Sequence, residues 1–534
     1  MGVAVRLPPH HRTHSGRGVS ALHGFRLTTL PHRGGRFAAP SRLVMLAWRF
    51  AVLSTDGCTV GLYRSGKSCN FAAETFMSTQ VENKIDMLHG PMLVKILVFA
   101  LPLALSSVMQ QLFNSVDVAV VGHYVGTSAL AAVGSNAPVI GLFINLLVGL
   151  SLGTNAVVSN HIGRHDPYRT RRAVATSMRV AVIGGLSIAA IGFASARGIL
   201  ELMGTPDDVM EQAVLYLRCY MLGLPFLAIF NFGASILRSV GDTRRPLYIL
   251  ISTGLLNAAL NMMFVVWWGM GVEGVAIATG ISSAVSAGII VVLMMRDKGP
   301  CGLQFPLEKT DFTELGGIVR IGLPAGVQGM VFSFSNMVLQ SAVNSYGSEV
   351  MAGSAAALNF EYYCFFIIQA FNGAAISFIG QNYGAGNIQR VRRAFALCMT
   401  LGVVFCAGFN WLFVWQEEFF LGIFTDVPQV MEYGYQRMHI VLGLQALGCS
   451  YEITASALRA MGRSIAPTIF TIIGTCLLRV GWVYFIMPIY PGFDKLMMVY
   501  PLSWILTGTM VIIDYIVFMR KKFGKTIVEE QNIC

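Results

Sequence analysis

A constant shift of 221 residues relates the second half of this 534-residue chain to the first half. The segment NHIGRHDPYRTRRAV at 160–174 matches QNYGAGNIQRVRRAF at 381–395, with a glycine, two arginines and an alanine in register. The same shift aligns LRSVGDTRRP at 237–246 with LRAMGRSIAP at 458–467. Because two separate segments share one offset, we predict that the chain is an internal duplication.

The composition places this duplication in a lipid bilayer. Hydrophobic residues make up 54% of the chain and charged residues only 12%, against about 25% charged residues in soluble domains. Twelve apolar stretches are long enough to span a bilayer, which takes about 20 residues of helix. They lie near 93–122, 128–160, 171–197, 208–238, 245–269, 274–296, 314–345, 350–382, 391–418, 429–459, 464–489 and 497–521. The predicted fold is an all-α integral membrane protein with twelve transmembrane helices in two pseudo-symmetric six-helix lobes. Secondary transporters are built this way, and one half moves against the other around a site between them.

The net charge of +11 is concentrated near the N-terminus, which argues against binding to nucleic acid. Residues 1–76 carry nine arginines and one lysine against two acids. Two interpretations of this basic stretch stay open. It is either an arginine-rich targeting peptide or an upstream extension, with the protein starting at Met77 or Met87 instead of Met1. In both cases we predict that residues 1–86 form a disordered extension outside the folded bundle.

The charge of the loops sets the predicted orientation. Arginines and lysines cluster in every second loop, for example at 164–172 and 390–393, whereas the alternate loops carry few. The positive-inside rule therefore places both termini in the cytoplasm. The predicted organisation is an N-lobe at 87–296, a cytoplasmic linker at 297–313, a C-lobe at 314–522 and a cytoplasmic tail at 523–534. We expect a multi-pass monomer in a bacterial inner membrane, with the lipid bilayer around it.

Several motifs resemble one family of transporters. They are LFNSVDVAVVG in the first predicted helix, LRSVGDTRRP after the fourth, SFIGQNYGAGN at the end of the eighth, and NAALN in the fifth followed by GVEGVAIATG. Taken together, from Met87 to Lys525, the chain resembles the MATE (multidrug and toxin extrusion) family, bacterial type. The resemblance implies an exporter of hydrophobic, mostly cationic small molecules in exchange for Na⁺ or H⁺. It implies no cofactor beyond that coupling ion.

Asp117 is the first candidate for coupling the ion. It lies in the first predicted helix, about 8 Å from the outer end, and a carboxylate inside a membrane is costly and commonly functional. The resemblance implies an essential aspartate at this position. Asn257 and Asn261 share one face of the fifth helix because they are four residues apart, and Thr279 lies at similar depth. Their oxygens suit Na⁺ or a proton-linked network. The alternative is a solvated acid beside amides that only join helices.

A second group of polar residues is predicted to line a substrate cavity between the lobes. Its members are intramembrane amides and acids: Gln110, Gln111, Asn114, Asn336, Gln340, Glu361 and Glu452. Glu361 and Arg479 lie at comparable predicted depth, which allows an ion pair between them. A paired Glu361 would be structural, and a free one would bind a cationic substrate or a proton. Pro102 and Pro324 are expected to bend the first and seventh helices at equivalent positions.

Two rival functions remain at this point. Lipid-linked oligosaccharide flippases resemble the same fold, but their cavities usually need several cationic residues, whereas the intramembrane charges here are mainly acidic. An intramembrane enzyme is disfavoured because the sequence has no H-E-x-x-H motif, and its one G-x-S-x-G match, GLSLG at 149–153, lies inside a predicted membrane helix and not at a strand-to-helix turn. The ten scattered cysteines suggest neither a disulfide framework nor a zinc site. We therefore predict a transporter of small-molecule drugs or metabolites, not an enzyme and not a nucleic-acid-binding protein.

Overall fold

The computed structural model describes residues 84–304 and 310–531, with side chains described as far as Phe523. The predicted N-terminal extension therefore lies outside the described residues, apart from 84–86. Within the described ranges the chain is helical and contains no strand. Eleven helices there are long and apolar enough to cross a membrane. They are α1 Met92–Val125, α2 Thr127–Gly163, α3 Pro167–Leu202, α4 Asp207–Ser239, α5 Arg244–Trp267, α6 Val272–Arg296, α7 Phe312–Asn344, α8 Ser348–Gly384, α9 Ile388–Trp415, α11 Ile465–Ile486 and α12 Phe493–Phe523.

The tenth membrane segment, α10, is broken, although the sequence predicts one helix there. It consists of the helices Pro428–Arg437 and Cys449–Ala460, joined by the π turn Met438–Leu442 and the 3₁₀ turn Gln445–Gly448. Such turns are uncommon inside helices and often mark functional sites. Here they flank two buried polar side chains, Arg437 and Gln445, which both reach α8. With α10 included, the bundle has the twelve predicted segments in two six-helix lobes.

The duplication read from the sequence recurs in the positions where helices begin. Helices α2 to α6 begin at Thr127, Pro167, Asp207, Arg244 and Val272, and α8 to α12 begin at Ser348, Ile388, Pro428, Ile465 and Phe493. Each pair differs by the same 221 residues. Since helix starts depend on local turn chemistry, the loops as well as the helices lie at equivalent positions in the two lobes.

The turn after α2 shows this equivalence in detail. Asp166 accepts a hydrogen bond from the Arg169 backbone N–H at 2.9 Å and caps α3. At the equivalent position Asn387 accepts from the Arg390 N–H at 3.0 Å and caps α9. These side chains satisfy N–H groups that a helix start leaves unpaired. The same capping chemistry therefore opens the third helix of each lobe.

The lobes meet closely at one end of the bundle. We call it the basic end; it carries the loops 164–166, 240–243, 385–387 and 461–464, and the other end is the opposite end. Two equivalent hydrogen bonds cross between the lobes here. Asn160 donates to the Ala460 carbonyl at 2.8 Å, and Gln381 donates to the Ser239 carbonyl at 2.6 Å. Because donors and acceptors each differ by 221 residues, the contact is pseudo-twofold symmetric.

Glycines allow this close approach. A Cβ atom on Gly163 would collide with the Gln381 carbonyl, and one on Gly384 would collide with the Asn160 carbonyl. Further along α2, Gly153 packs against Gly322 of α7 in the same manner. Small residues let membrane helices approach at backbone distance, where van der Waals contact stabilises them. The two lobes therefore share a tightly packed seam at the basic end.

The segment before α1 packs against both lobes. The Met87 side chain is fully buried, and its carbonyl accepts from Asn382 of α8 at 3.1 Å. The Ile85 N–H donates to the Gly241 carbonyl at 3.3 Å. Helices α1 and α7 run unbroken through Pro102 and Pro324. The predicted bends at these prolines stay predictions.

Candidate functional site

The Asp117 carboxylate lies in α1, eight residues before the helix ends at Val125. It is half-buried, and Asn261 of α5 donates to its Oδ1 atom at 2.5 Å. The Asn261 side chain is completely buried. Helices α1 and α5 pack against each other, which places the acid beside the amide. A hydrogen bond to a carboxylate is stronger than one between neutral groups.

The other two predicted coupling residues join the same cluster. Asn261 also contacts the Asn257 Oδ1 atom at 3.4 Å, and Asn257 donates to the Thr279 hydroxyl at 3.3 Å. The short connection between α5 and α6 brings Thr279 next to α5. Asp117, Asn257, Asn261 and Thr279, which we call the N-lobe cluster, thus form one network over three helices. Their functional role stays a prediction.

The electrostatics of the N-lobe cluster favour a cation. Among the described residues no basic side chain pairs with Asp117. The Asn261 Oδ1 atom is enclosed and has no hydrogen-bond partner there. An unpaired buried acceptor beside a carboxylate is a costly arrangement in a membrane. It becomes favourable when a hard cation or a proton-linked hydrogen bond completes the set, since oxygen ligands suit such ions.

The polar residues predicted on α1 and those predicted on α7 do not share hydrogen bonds. Gln110 and Asn114 are exposed and Gln111 is half-buried. On α7, Gln340 donates to Asn344 of its own helix at 2.9 Å. Asn336 accepts from Arg479 at 3.0 Å. No hydrogen bond between the α1 and α7 members occurs among the described residues, so their shared role in a substrate cavity stays a prediction.

Glu361 pairs with Arg437 and not with Arg479, so the predicted partner is wrong. Arg437 Nε lies 2.5 Å from Glu361 Oε1, and its Nη2 lies 3.0 Å from Oε2. Both groups are buried, with exposed fractions of 6% for Glu361 and 1% for Arg437. Arg437 and Arg479 both lie at a membrane depth close to that of Glu361. Which of them pairs with the acid depends on the direction in which its helix faces. The bidentate geometry makes Glu361 a structural residue by the criterion set above.

Glu452 contacts a different set of residues. Asn372 of α8 donates to its Oε2 atom at 3.2 Å, and the Ser456 hydroxyl in turn donates to the side-chain amide oxygen of Asn372. Arg459, one helical turn further from Ser456, is also buried and donates to Gln328 of α7 at 2.7 Å. Asn372, Arg437 and Arg459 escaped the sequence prediction. The signal was present, because each is an amide or a guanidinium inside a predicted membrane helix.

Comparisons with known proteins agree with this architecture. The family model of MatE matches residues 102–263 and again 324–485. Because the two matches cover more than half of the chain, the protein belongs to the MATE family, whose members are membrane transporters rather than enzymes. The predicted family, fold class and multi-pass membrane character are thereby confirmed.

Individual relatives are similar over most of their length. The probable multidrug resistance protein YoeA of Bacillus subtilis is 27% identical over 383 residues, which cover 70% of this chain and 82% of YoeA. The probable multidrug resistance protein NorM of Thermotoga maritima is 26% identical, over 70% of this chain and 81% of NorM. A solved structure described as the outward-facing conformation of a multidrug resistance MATE family transporter of the MOP superfamily superposes with a TM-score of 0.74. It is 23% identical, covers 82% of this chain and 97% of that chain, and shows the shared fold.

Proposed function

We propose that this protein is a secondary active multidrug exporter, which moves hydrophobic, mostly cationic small molecules outward in exchange for Na⁺ or H⁺. The observation that carries the proposal is Asp117, a half-buried carboxylate that contacts the neutral amide of Asn261 and has no basic partner in the described chain. The names of the relatives YoeA and NorM, both probable multidrug resistance proteins, support the substrate class. Cation-coupled antiport is general in the MATE family.

The coupling step is a competition for the N-lobe cluster. When Na⁺ or H⁺ enters from outside, it neutralises Asp117, and the enclosed Asn261 oxygen is available to complete the oxygen set. A neutral Asp117 no longer attracts a cationic substrate, so the substrate leaves. When the ion leaves on the inner side, the charged carboxylate again favours a cationic substrate. Each ligand thereby binds best in the absence of the other, as antiport requires.

The seam at the basic end supports the proposal of alternating access. Besides the two equivalent bonds described above, Asn145 bonds Ser333 at 2.8 Å and His161 bonds Glu314, also at 2.8 Å. Both pairs join α2 to α7, between the middle of the bundle and the basic end. With the orientation given by the positive-inside rule, the basic end is cytoplasmic and this arrangement is closed to the cytoplasm. Inward opening would separate the glycine seam and break these contacts. The proposed location is a bacterial plasma membrane.

The test compares drug efflux by the wild type, Asp117→Asn and Asp494→Asn in cells without their own exporters. Asp494 is a half-exposed acid at the opposite end and pairs with Lys495, so its variant controls for loss of a carboxylate. Ethidium and norfloxacin efflux are measured under imposed Na⁺ gradients and, separately, pH gradients. We expect Asp494→Asn to export like the wild type and Asp117→Asn to lose gradient-driven export.

The ion gradient that drives the wild type identifies the coupling ion. Equal amounts of each variant in the membrane exclude a folding defect. Full gradient-driven export by Asp117→Asn would contradict the proposal, and so would wild-type export that responds to neither gradient.

A further inference from the structure

Arg479 is a buried cation that has no acidic partner among the described residues. Its side chain is 1% exposed on α11. Its Nε atom donates to the Ser503 hydroxyl at 3.2 Å and its Nη1 atom donates to the Asn336 amide oxygen at 3.0 Å. The guanidinium also lies 4.6 Å from the centre of the Tyr500 ring. We call Arg479, Asn336, Ser503 and Tyr500 the C-lobe cluster.

The acids nearby are already engaged. Glu361 binds Arg437 through both oxygens, and Asp514 binds Arg463 at 2.5 Å. Glu452 accepts from Asn372. No described carboxylate therefore neutralises Arg479. Burying an unpaired charge costs several kcal/mol in a protein interior, and intramembrane charges of this kind usually serve a function.

The C-lobe cluster occupies the place that corresponds to the N-lobe cluster. The N-lobe cluster lies on α1, α5 and α6, and the C-lobe cluster lies on the equivalent helices α7, α11 and α12. Helix α11 contains an extra π turn, Ile472–Leu477, which adds one residue relative to α5. After this turn the offset becomes 222, and Arg479 takes the place of Asn257. Thr279 corresponds to Tyr500 at the original offset.

A cavity of about 430 Å³ lies next to the C-lobe cluster, between α7, α11 and α12. Its lining includes Val483, one turn beyond Arg479, and Leu496, one turn before Tyr500. Both lie on the side of the opposite end. None of the four cluster residues lines the cavity itself, so a molecule that enters the bundle from that end comes within one helical turn of Arg479. Its volume fits the small-molecule range of pockets, about 300–1,000 Å³.

We propose that Arg479 binds the carboxylate of a zwitterionic substrate, so that the C-lobe cluster is an anion subsite opposite the cation-binding N-lobe cluster. An arginine fork matches a carboxylate in shape and charge, and a buried pair of this type is strong. This inference rests on the proposed export function and narrows its substrate class. It predicts that a carboxylate improves binding of a hydrophobic cation.

The experiment measures equilibrium binding to the purified full chain in phosphatidylcholine nanodiscs, with no ion gradient. The probes are norfloxacin, which carries an amine and a carboxylate, and its ethyl ester, which keeps only the amine. We expect the wild type to bind norfloxacin about tenfold more tightly than the ester, the size of one charge-assisted hydrogen-bonded contact. Arg479→Gln should bind the two probes equally. Arg463→Gln, which removes an arginine that Asp514 already neutralises, should keep the preference.

Several results would overturn the inference. If the wild type binds norfloxacin and its ester equally, Arg479 does not recognise the carboxylate. This comparison uses only the wild type, so it does not depend on whether a variant folds. Equal loss of both probes in Arg479→Gln would show that the arginine only supports the helices. If norfloxacin binds much more weakly when the nanodiscs are made of phosphatidylglycerol instead of phosphatidylcholine, a lipid phosphate occupies the site. The assay measures binding and not transport. Its outcomes can therefore be interpreted even if Asp117 proves not to couple an ion.

Discussion

The two lobes share one backbone plan, but their corresponding clusters carry opposite charges. In the N-lobe, Asp117 contacts Asn261 and has no described basic partner. In the C-lobe, Arg479 contacts Asn336 and has no described acidic partner. Elsewhere in the C-lobe, Glu361 and Arg437 neutralise each other. The difference teaches that a paired intramembrane charge supports the fold, whereas an unpaired one is available to a ligand.

The largest effect expected from this contrast is on stability, in Glu361→Gln. The substitution removes the acid that pairs with Arg437 and leaves that guanidinium buried without a counter-charge. Breaking a buried ion pair from one side costs about 3–5 kcal/mol. We expect a lower melting temperature of the detergent-solubilised protein, measured by fluorescence-detected gel filtration after heating.

Asp117→Asn is the matched control for that experiment. The new amide oxygen still accepts from Asn261 and no ion pair is lost, so the melting temperature should stay close to that of the wild type. A large destabilisation by Asp117→Asn with none from Glu361→Gln would reverse the roles assigned to the two acids.

A smaller effect is expected within the N-lobe cluster. Asn261→Ala removes the donor to the Asp117 carboxylate, a contact of about 1.5–3 kcal/mol for a charged acceptor. Gradient-driven efflux should fall by about tenfold, because the substitution also removes the Asn261 Oδ1 atom that would contact the coupling ion. Asn257→Ala should have less effect, since Asn257 donates to Thr279. The measurement is the initial efflux rate at equal protein amount, and a stronger defect in Asn257→Ala would contradict this order.

The smallest effect concerns a charge outside the membrane, Asp297. Burial alone would raise the pKa of this carboxyl, but the Lys84 ammonium at 2.8 Å and the Gly299 N–H outweigh it, so the pKa lies below its ordinary value of 3.8. A lowered carboxyl pKa stabilises the fold above the ordinary value, and this stabilisation is lost as the pH falls through the lowered pKa. For a partly exposed pair it is about 0–1 kcal/mol.

Asp297→Asn tests this pH dependence. Its melting temperature should be slightly below that of the wild type near neutral pH, and the two should converge as the pH falls below about 4. A difference that grows in acid would contradict the assigned ion pair.

Much of the fold was accessible from sequence because it depends on repeated local signals. The 221-residue shift predicted the two lobes, and the helix starts repeat it. The spacing of Asn257 and Asn261, together with the similar depth of Asp117 and Thr279, predicted a cluster that the structure brings together.

The rest depended on features that periodicity does not reveal. Depth along a helix could not decide whether Glu361 faces Arg437 or Arg479, because this choice depends on the rotation and tilt of α10 and α11. The π turn Ile472–Leu477 changes the offset between the lobes by one residue and brings Arg479 into equivalence with Asn257. Without that turn the sequence aligns Leu478 there. The break in α10 likewise lies where Arg437 and Gln445 make tertiary contacts with α8, which periodicity along the chain does not reveal.

The most direct measurement is whether Na⁺ or H⁺ competes with ethidium for the purified protein in nanodiscs. If Asp117 couples the two ligands, raising Na⁺ or lowering the pH weakens ethidium binding to the wild type, whereas binding to Asp117→Asn is insensitive to the same change. Competition that persists unchanged in Asp117→Asn would place the ion elsewhere and contradict the account.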